Sequence, residues 1–187
     1  MTDTLESIYA RHSAHVVRPE PISRELVERL LAAAVQAPNH YHVRPWRFIV
    51  LQGAARERLG EVISQTLQAT HPDLPPAAIE KERAKPLRAP LLIAVGVDLP
   101  ADPRVSLVEN ICAAASAVEN LLLAAQSLGL SGMWRTGATV SEPSVKAFLG
   151  LQPDQPLIAL LYLGYPEMRD EPPGARPSFE DRTRWME

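Results

Sequence analysis

Two short clusters in the 187-residue chain pair an arginine with a hydroxyl group. The first is Arg11-His12-Ser13, and the second is Ser131-Gly132-Met133-Trp134-Arg135-Thr136-Gly137. An arginine offers a planar fork of donors suited to phosphate or carboxylate. Thr136 and Ser13 add hydroxyls, and Gly137 lets backbone come close to a bound group. Two such clusters, far apart in sequence, point to a site for a phosphorylated small molecule.

Other chemistries find less support. His12, His15 and His40-Tyr41-His42 could in principle supply imidazoles to a zinc ion. No acidic residue sits in either segment, and the spacing favours loop histidines that donate hydrogen bonds. A serine hydrolase would want a Gly-x-Ser-x-Gly elbow, which is missing. No Gly-x-Gly-x-x-Gly fingerprint and no P-loop occur, so a nucleotide cofactor must be held by side chains and isolated backbone donors.

The elements that position these residues alternate between helix and strand. A short helix is predicted over Leu5–Tyr9, with Asp3 and Glu6 at capping-box spacing. Ser23 caps a second helix from Arg24 to about Gln36, which Pro38 stops. Trp46–Leu51 reads as a strand and Ala54–Thr70 as a helix. The stretch from His71 to Pro90 carries five prolines around a charged helix (Ile79–Lys85), either a lid or a plain surface connection. Leu91–Val97 and Leu157–Leu163 are unbroken apolar runs, as strands covered on both faces require. Ser141 is expected to cap a helix over Glu142–Leu149.

Ser106–Leu128 is the longest helix, ended by Gly129, and it shows almost no polar face. It must be buried nearly all round, in the core or between subunits. Glu119 and Asn120 would lie mid-membrane in a span, where a carboxylate costs several kcal/mol, so the membrane reading is rejected. Its Cys112 is read as a packing thiol.

Composition bounds the class. Nineteen Lys and Arg against 22 Asp and Glu give a net charge of −3, with no basic footprint for nucleic acid. One cysteine supports neither a disulfide framework nor a cysteine-based zinc site. With no signal-peptide pattern at the N-terminus, the expected setting is reducing and cytoplasmic. The expectation is one α/β or α+β domain over residues 1–187. A proline-rich, charged arm from about residue 165 ends in aromatics that dock on the domain or on a partner subunit.

The order of these pieces resembles a known family. Arg11-x-Ser13 is followed by Ala37-Pro38-Asn39-His40, then Pro45-Trp46-x-Phe48, the long helix to Gly129, Gly132-x-Trp134-Arg135-Thr136-Gly137, and Tyr162-Leu163-Gly164-x-Pro166. From Leu5 to about Pro166 the chain looks like an FMN-dependent nitroreductase of the compact, single-domain NAD(P)H nitroreductase branch. The resemblance implies an α+β fold of three layers, with a mostly antiparallel central sheet flanked by helices, in an intertwined homodimer. It implies FMN at each subunit interface, with Arg11, His12, Ser13, Trp134, Arg135 and Thr136 from one subunit and Gln36 and His40 from the other. Arg11 and Ser13 would lie nearest the phosphate, and Arg135 would close that end.

The implied activity is reduction of nitroaromatic, quinone or similar electron-poor acceptors by NAD(P)H, with ping-pong kinetics and no protein general acid. Alternatives are a non-catalytic flavin-binding protein, or a same-fold flavoenzyme that dehalogenates or cleaves flavin. Two positions depart from the family pattern. His12 stands where a second basic residue is common, and His40-Tyr41-His42-Val43-Arg44 replaces a Ser- or Asn- and Gln-bearing loop. Tyr41 and Arg44 either narrow the pocket or face solvent.

Overall fold

The computed structural model describes residues 3–137, 142–167 and 176–187. The elements run α1 (Thr4–Ala10), α2 (Arg24–Ala34), β1 (Trp46–Gln52), α3 (Ala54–Thr70), α4 (Pro76–Arg83), β2 (Leu91–Val97), α5 (Leu107–Ser127), β3 (Ser131–Arg135), α6 (Pro143–Phe148) and β4 (Leu157–Gly164). Short 3-10 turns occupy His40–His42, Lys85–Arg88 and Glu180–Arg182.

Helix starts follow their caps. Asp3 and Glu6 close a reciprocal capping box at α1, and the Ser23 hydroxyl accepts from the Leu26 amide. Ser106 and Glu109 form a second box at α5. Helix ends follow the sequence less closely. α2 stops at Ala34 rather than Gln36, because the Val35, Gln36 and Ala37 amides bond back in tightening turns ahead of Pro38. The charged helix begins at Pro76, three residues before Ile79, since proline suits the first turn. Glu142 takes the cap position of α6, and the predicted cap, Ser141, lies outside the described residues.

All three strand pairings are antiparallel, in the order β1-β2-β4-β3. Every residue of β2 is buried, so both faces of the sheet need a helical cover. One face packs Leu91, Ile93, Val95 and Val97 with Ala159, Leu161 and Leu163 against α2 and α5. The other packs Leu92, Ala94, Leu160 and Tyr162 with Leu59 and Ile63 of α3 and Val145 of α6. A register shift at Val95/Gly96 lets Leu157 and Leu160 face the same cluster.

Within the single chain α5 is buried on one side only. Ala113, Ala114, Ala117, Val118, Leu121 and Ala125 face the core, but Cys112 and Glu119 are exposed and Val108 is 68% exposed. Length and composition alone would let this helix cross a membrane; here its inner face covers the sheet.

The loop after α2 is strained. Tyr41, His42 and Arg44 have φ of 47°, 55° and 50°, a region that L side chains enter at a cost. His42→Val should therefore destabilise the fold by roughly 1–2 kcal/mol, with His42→Gly tolerated, as chemical denaturation would show. A second tight point joins α3 and α4. A Cβ on Gly60 would lie 2.3 Å from the Arg83 backbone oxygen. Gly60→Ala should cost about 1–3 kcal/mol in the same assay, since backbone and not a flexible side chain must move.

Candidate functional site

Arg11 is the residue that closes α1, and its Nε lies 3.3 Å from Oε1 of Glu119 on α5. No local pattern in the chain pairs Arg11 with that carboxylate. His12 is half-buried and its Nδ1 lies 3.1 Å from the Ala10 carbonyl oxygen, while Ser13 is exposed. Past them the segment continues to Val17, which bridges Pro166, and the Arg18 amide donates to the Tyr165 carbonyl at 2.8 Å. Arg176 of the C-terminal arm also donates to the Arg11 backbone oxygen at 2.8 Å.

The second cluster is split by the strand that carries it. Neighbouring residues of a strand point to opposite faces. Trp134 pairs with Leu161 and shares the α5 face, where its indole Nε1 donates to the Ile158 carbonyl at 2.9 Å. Arg135 faces the other way, its guanidinium 5.4 Å from the Tyr162 ring centroid. Thr136 follows directly and is exposed, and Gly137 has φ of 130°. The side chains of Trp134 and Arg135 therefore stand on opposite sides of the sheet.

Arg135 has company that its own motif did not announce. A small niche is lined by Ala14, His15, Val17, Arg88, Ala89, Met133, Arg135 and Tyr162. The first cluster's segment thereby meets the second through His15 rather than through Arg11. Burial pushes the Tyr162 phenol pKa up, and the positive charges of Arg135 and Arg88 oppose that rise without reversing it. Tyr162 therefore keeps its proton and can donate. Among the described residues, neither Arg88 nor Arg135 has a carboxylate within ion-pair distance. Arg88 sits in a proline-flanked segment, where only its charge could have drawn notice.

Gln36 and His40 lie elsewhere. Gln36 is exposed and its side-chain amide donates to the Ala32 carbonyl at 3.2 Å. The His40 Nε2 lies 3.4 Å from Glu109 Oε1. Bonds from the Ser106 backbone and hydroxyl hold the Glu109 carboxyl below its ordinary pKa, with His40 adding to the effect. Pro38, Asn39, His40, Val108, Glu109, Cys112, Ala113 and Ser116 line an open, mostly apolar cleft of about 510 Å³. Cys112, expected to be a packing thiol, opens into this cleft instead.

Arg104 stacks on the strained loop, its guanidinium 4.0 Å from the Tyr41 ring centroid. Asp102 grips the same guanidinium, with Nη2–Oδ2 at 2.6 Å and Nε–Oδ1 at 3.0 Å. That grip, together with the Arg104 amide, lowers the Asp102 pKa to about 2. Since the folded value is the depressed one, the pair is fully formed above the ordinary 3.8 and is lost only as pH falls through about 2.

The zinc alternative gains nothing from the geometry. Among the described residues, no group of three or more His, Cys, Asp or Glu is gathered for a metal ion.

Comparison with known proteins agrees with this architecture. The family described as "Nitroreductase family" matches residues 8–165. The Escherichia coli (strain K12) protein named "Putative NAD(P)H nitroreductase YdjA" is 34% identical over 168 residues, covering 89% of this chain and 90% of that one. A nitroreductase-like family protein from Bacillus cereus superposes with a TM-score of 0.83 at 24% identity, over 100% of this chain and 97% of the other. A nitroreductase with bound FMN from Bacteroides fragilis gives a TM-score of 0.76 at 23% identity, over the whole of both chains. With its three layers, antiparallel sheet and motif order, the chain belongs to the nitroreductase family.

Proposed function

We propose that the protein is an FMN-dependent NAD(P)H oxidoreductase acting on flat, electron-poor acceptors such as nitroaromatics and quinones. It works as a homodimer with a flavin at each subunit interface. The observation that carries this reading is the niche of His15, Arg88 and Arg135 around Tyr162, two guanidinium groups without carboxylate partners among the described residues. The niche itself is only about 10 Å³, so these donors would meet a flavin's anionic groups at its mouth rather than enclose them. The Escherichia coli relative's name supports the NAD(P)H donor, and the Bacteroides fragilis neighbour's title supports FMN.

Each residue has a task in this reading. Arg135 and Arg88 neutralise anionic oxygens, and Thr136 and Ser13, both exposed, offer hydroxyls. Tyr162, kept protonated by burial, donates into the same niche. Trp134 anchors β3 to the carbonyl of Ile158 and so fixes the register that aims Arg135. Arg11 and His12 complete the subunit's own contacts, Arg11 in competition with Glu119. Gln36 and His40 reach the cofactor of the other subunit, with the apolar cleft beside His40 limiting water. FMN, when bound, would accept a hydride from NAD(P)H and pass it to the acceptor, while the protein supplies binding and orientation.

The dimer rests on surfaces that one chain leaves open. Val108, Cys112 and Glu119 are exposed on α5, and Trp185 of the arm is 80% exposed. A second copy would cover both, giving α5 the all-round burial that its composition calls for.

The first test is the visible spectrum of the purified protein with FMN, before and after anaerobic NADPH. A flavin band that bleaches, followed by parallel initial-rate lines with a quinone acceptor, is expected. Failure to take up FMN would refute the assignment, and a band that persists with both NADPH and NADH would favour a non-catalytic flavin protein. Arg135→Ala and Arg88→Ala should each weaken FMN binding by roughly tenfold or more, measured by flavin fluorescence quenching. Unchanged affinity in both variants would take the niche out of the site.

A further inference from the structure

The strained loop after α2 is held from outside by groups that no part of the flavin reading uses. Tyr41, His42 and Arg44 all occupy the left-handed region without being glycine. Such a turn persists only where its surroundings over-determine it. Within the loop, the Asn39 side-chain oxygen accepts from the Arg44 amide at 2.9 Å, and the Val43 amide donates to the His40 carbonyl at 3.1 Å. Both bonds would survive a rotation of the whole turn about its ends.

The external restraint is the Tyr41 ring, pressed against Arg104. Arg104 cannot swing freely, because Asp102 binds it through both Nε and Nη2 and also accepts from its amide at 2.9 Å. The Val105 amide donates to the Asp102 carbonyl at 3.0 Å, and Ser106 then opens the capping box of α5. The platform under Tyr41 is therefore continuous with the N-terminus of the core helix. The same helix supplies Glu109 to His40. Of these adjacent loop residues, His40 is tied to α5 itself and Tyr41 to the segment that leads into it.

We propose that Arg104 is a positioning residue. By stacking on Tyr41 it holds the turn in its left-handed form and sets His40 and Asn39 as one wall of the cleft that receives the cofactor. The cofactor half of this proposal rests on the flavin reading above; the clamp itself does not.

Two readouts separate these halves. In the purified protein without added ligand, hydrogen exchange of the Tyr41–Arg44 amides reports the clamp. FMN affinity, from fluorescence quenching, reports the wall. Arg104→Ala and Tyr41→Ala are each expected to speed exchange in the loop and to raise the FMN Kd by about two- to fivefold, the size of an exposed cation–π contact. Tyr41→Phe keeps the ring and should match the parent in both. The double variant should be no weaker than either single one, since both remove the same contact. Unchanged exchange in Arg104→Ala overturns the clamp, and so does a double variant whose losses add. Loss in Tyr41→Phe equal to that in Tyr41→Ala assigns the effect to the hydroxyl and overturns the stacking account. A parent that takes up no FMN overturns the flavin reading and the wall, while the exchange data still decide the clamp.

Discussion

Two antiparallel strands, β2 and β4, are apolar on both faces, and that constraint shapes the rest of the molecule. A sheet with one wet face could stop at two layers; this one cannot. α5 and α2 close one side, α3 and α6 the other. Each apolar side chain of this size contributes roughly 1.5–3 kcal/mol when buried, so the paired strands outweigh any single polar contact described here. Polar chemistry is left to the margins: the end of β3, the chain between α1 and α2, and the loop that enters β1.

Much of this frame was legible in the sequence. The runs Leu91–Val97 and Leu157–Leu163 announced double-sided burial, and Asp3 and Ser23 marked helix starts through the hydrogen bonds they make. The stacking of Arg104 on Tyr41 was not legible, because it joins residues far apart in the chain and leaves no local pattern. The separation of Trp134 from Arg135 was legible in principle. A strand alternates its faces, so the side chains of neighbours within β3 point to opposite sides of the sheet. The run Ser131–Gly137 reads as a short strand after the long helix, and a strand stands there over Ser131–Arg135.

The arginines proposed for the site differ in how committed they are. Arg135 and Arg88 stand without acidic partners among the described residues, whereas Arg11 already has Glu119 at 3.3 Å. An anion drawn to Arg11 must exchange with that carboxylate or share the guanidinium with it. Its contribution to binding is the difference between two attractions, smaller than the strength of either. In the proposed reading Glu119 would be an internal competitor, and it sits on the same exposed side of α5 as Cys112.

That exposed stripe has a thermodynamic consequence. Where a second copy covers Val108, Cys112 and the arm's Trp185, part of the folding free energy is intermolecular. The stability of such a chain is not a single number but a function of how much of it is present. It falls by about 1.4 kcal/mol of association free energy for each tenfold dilution. Expression level then becomes a determinant of how well the protein is folded.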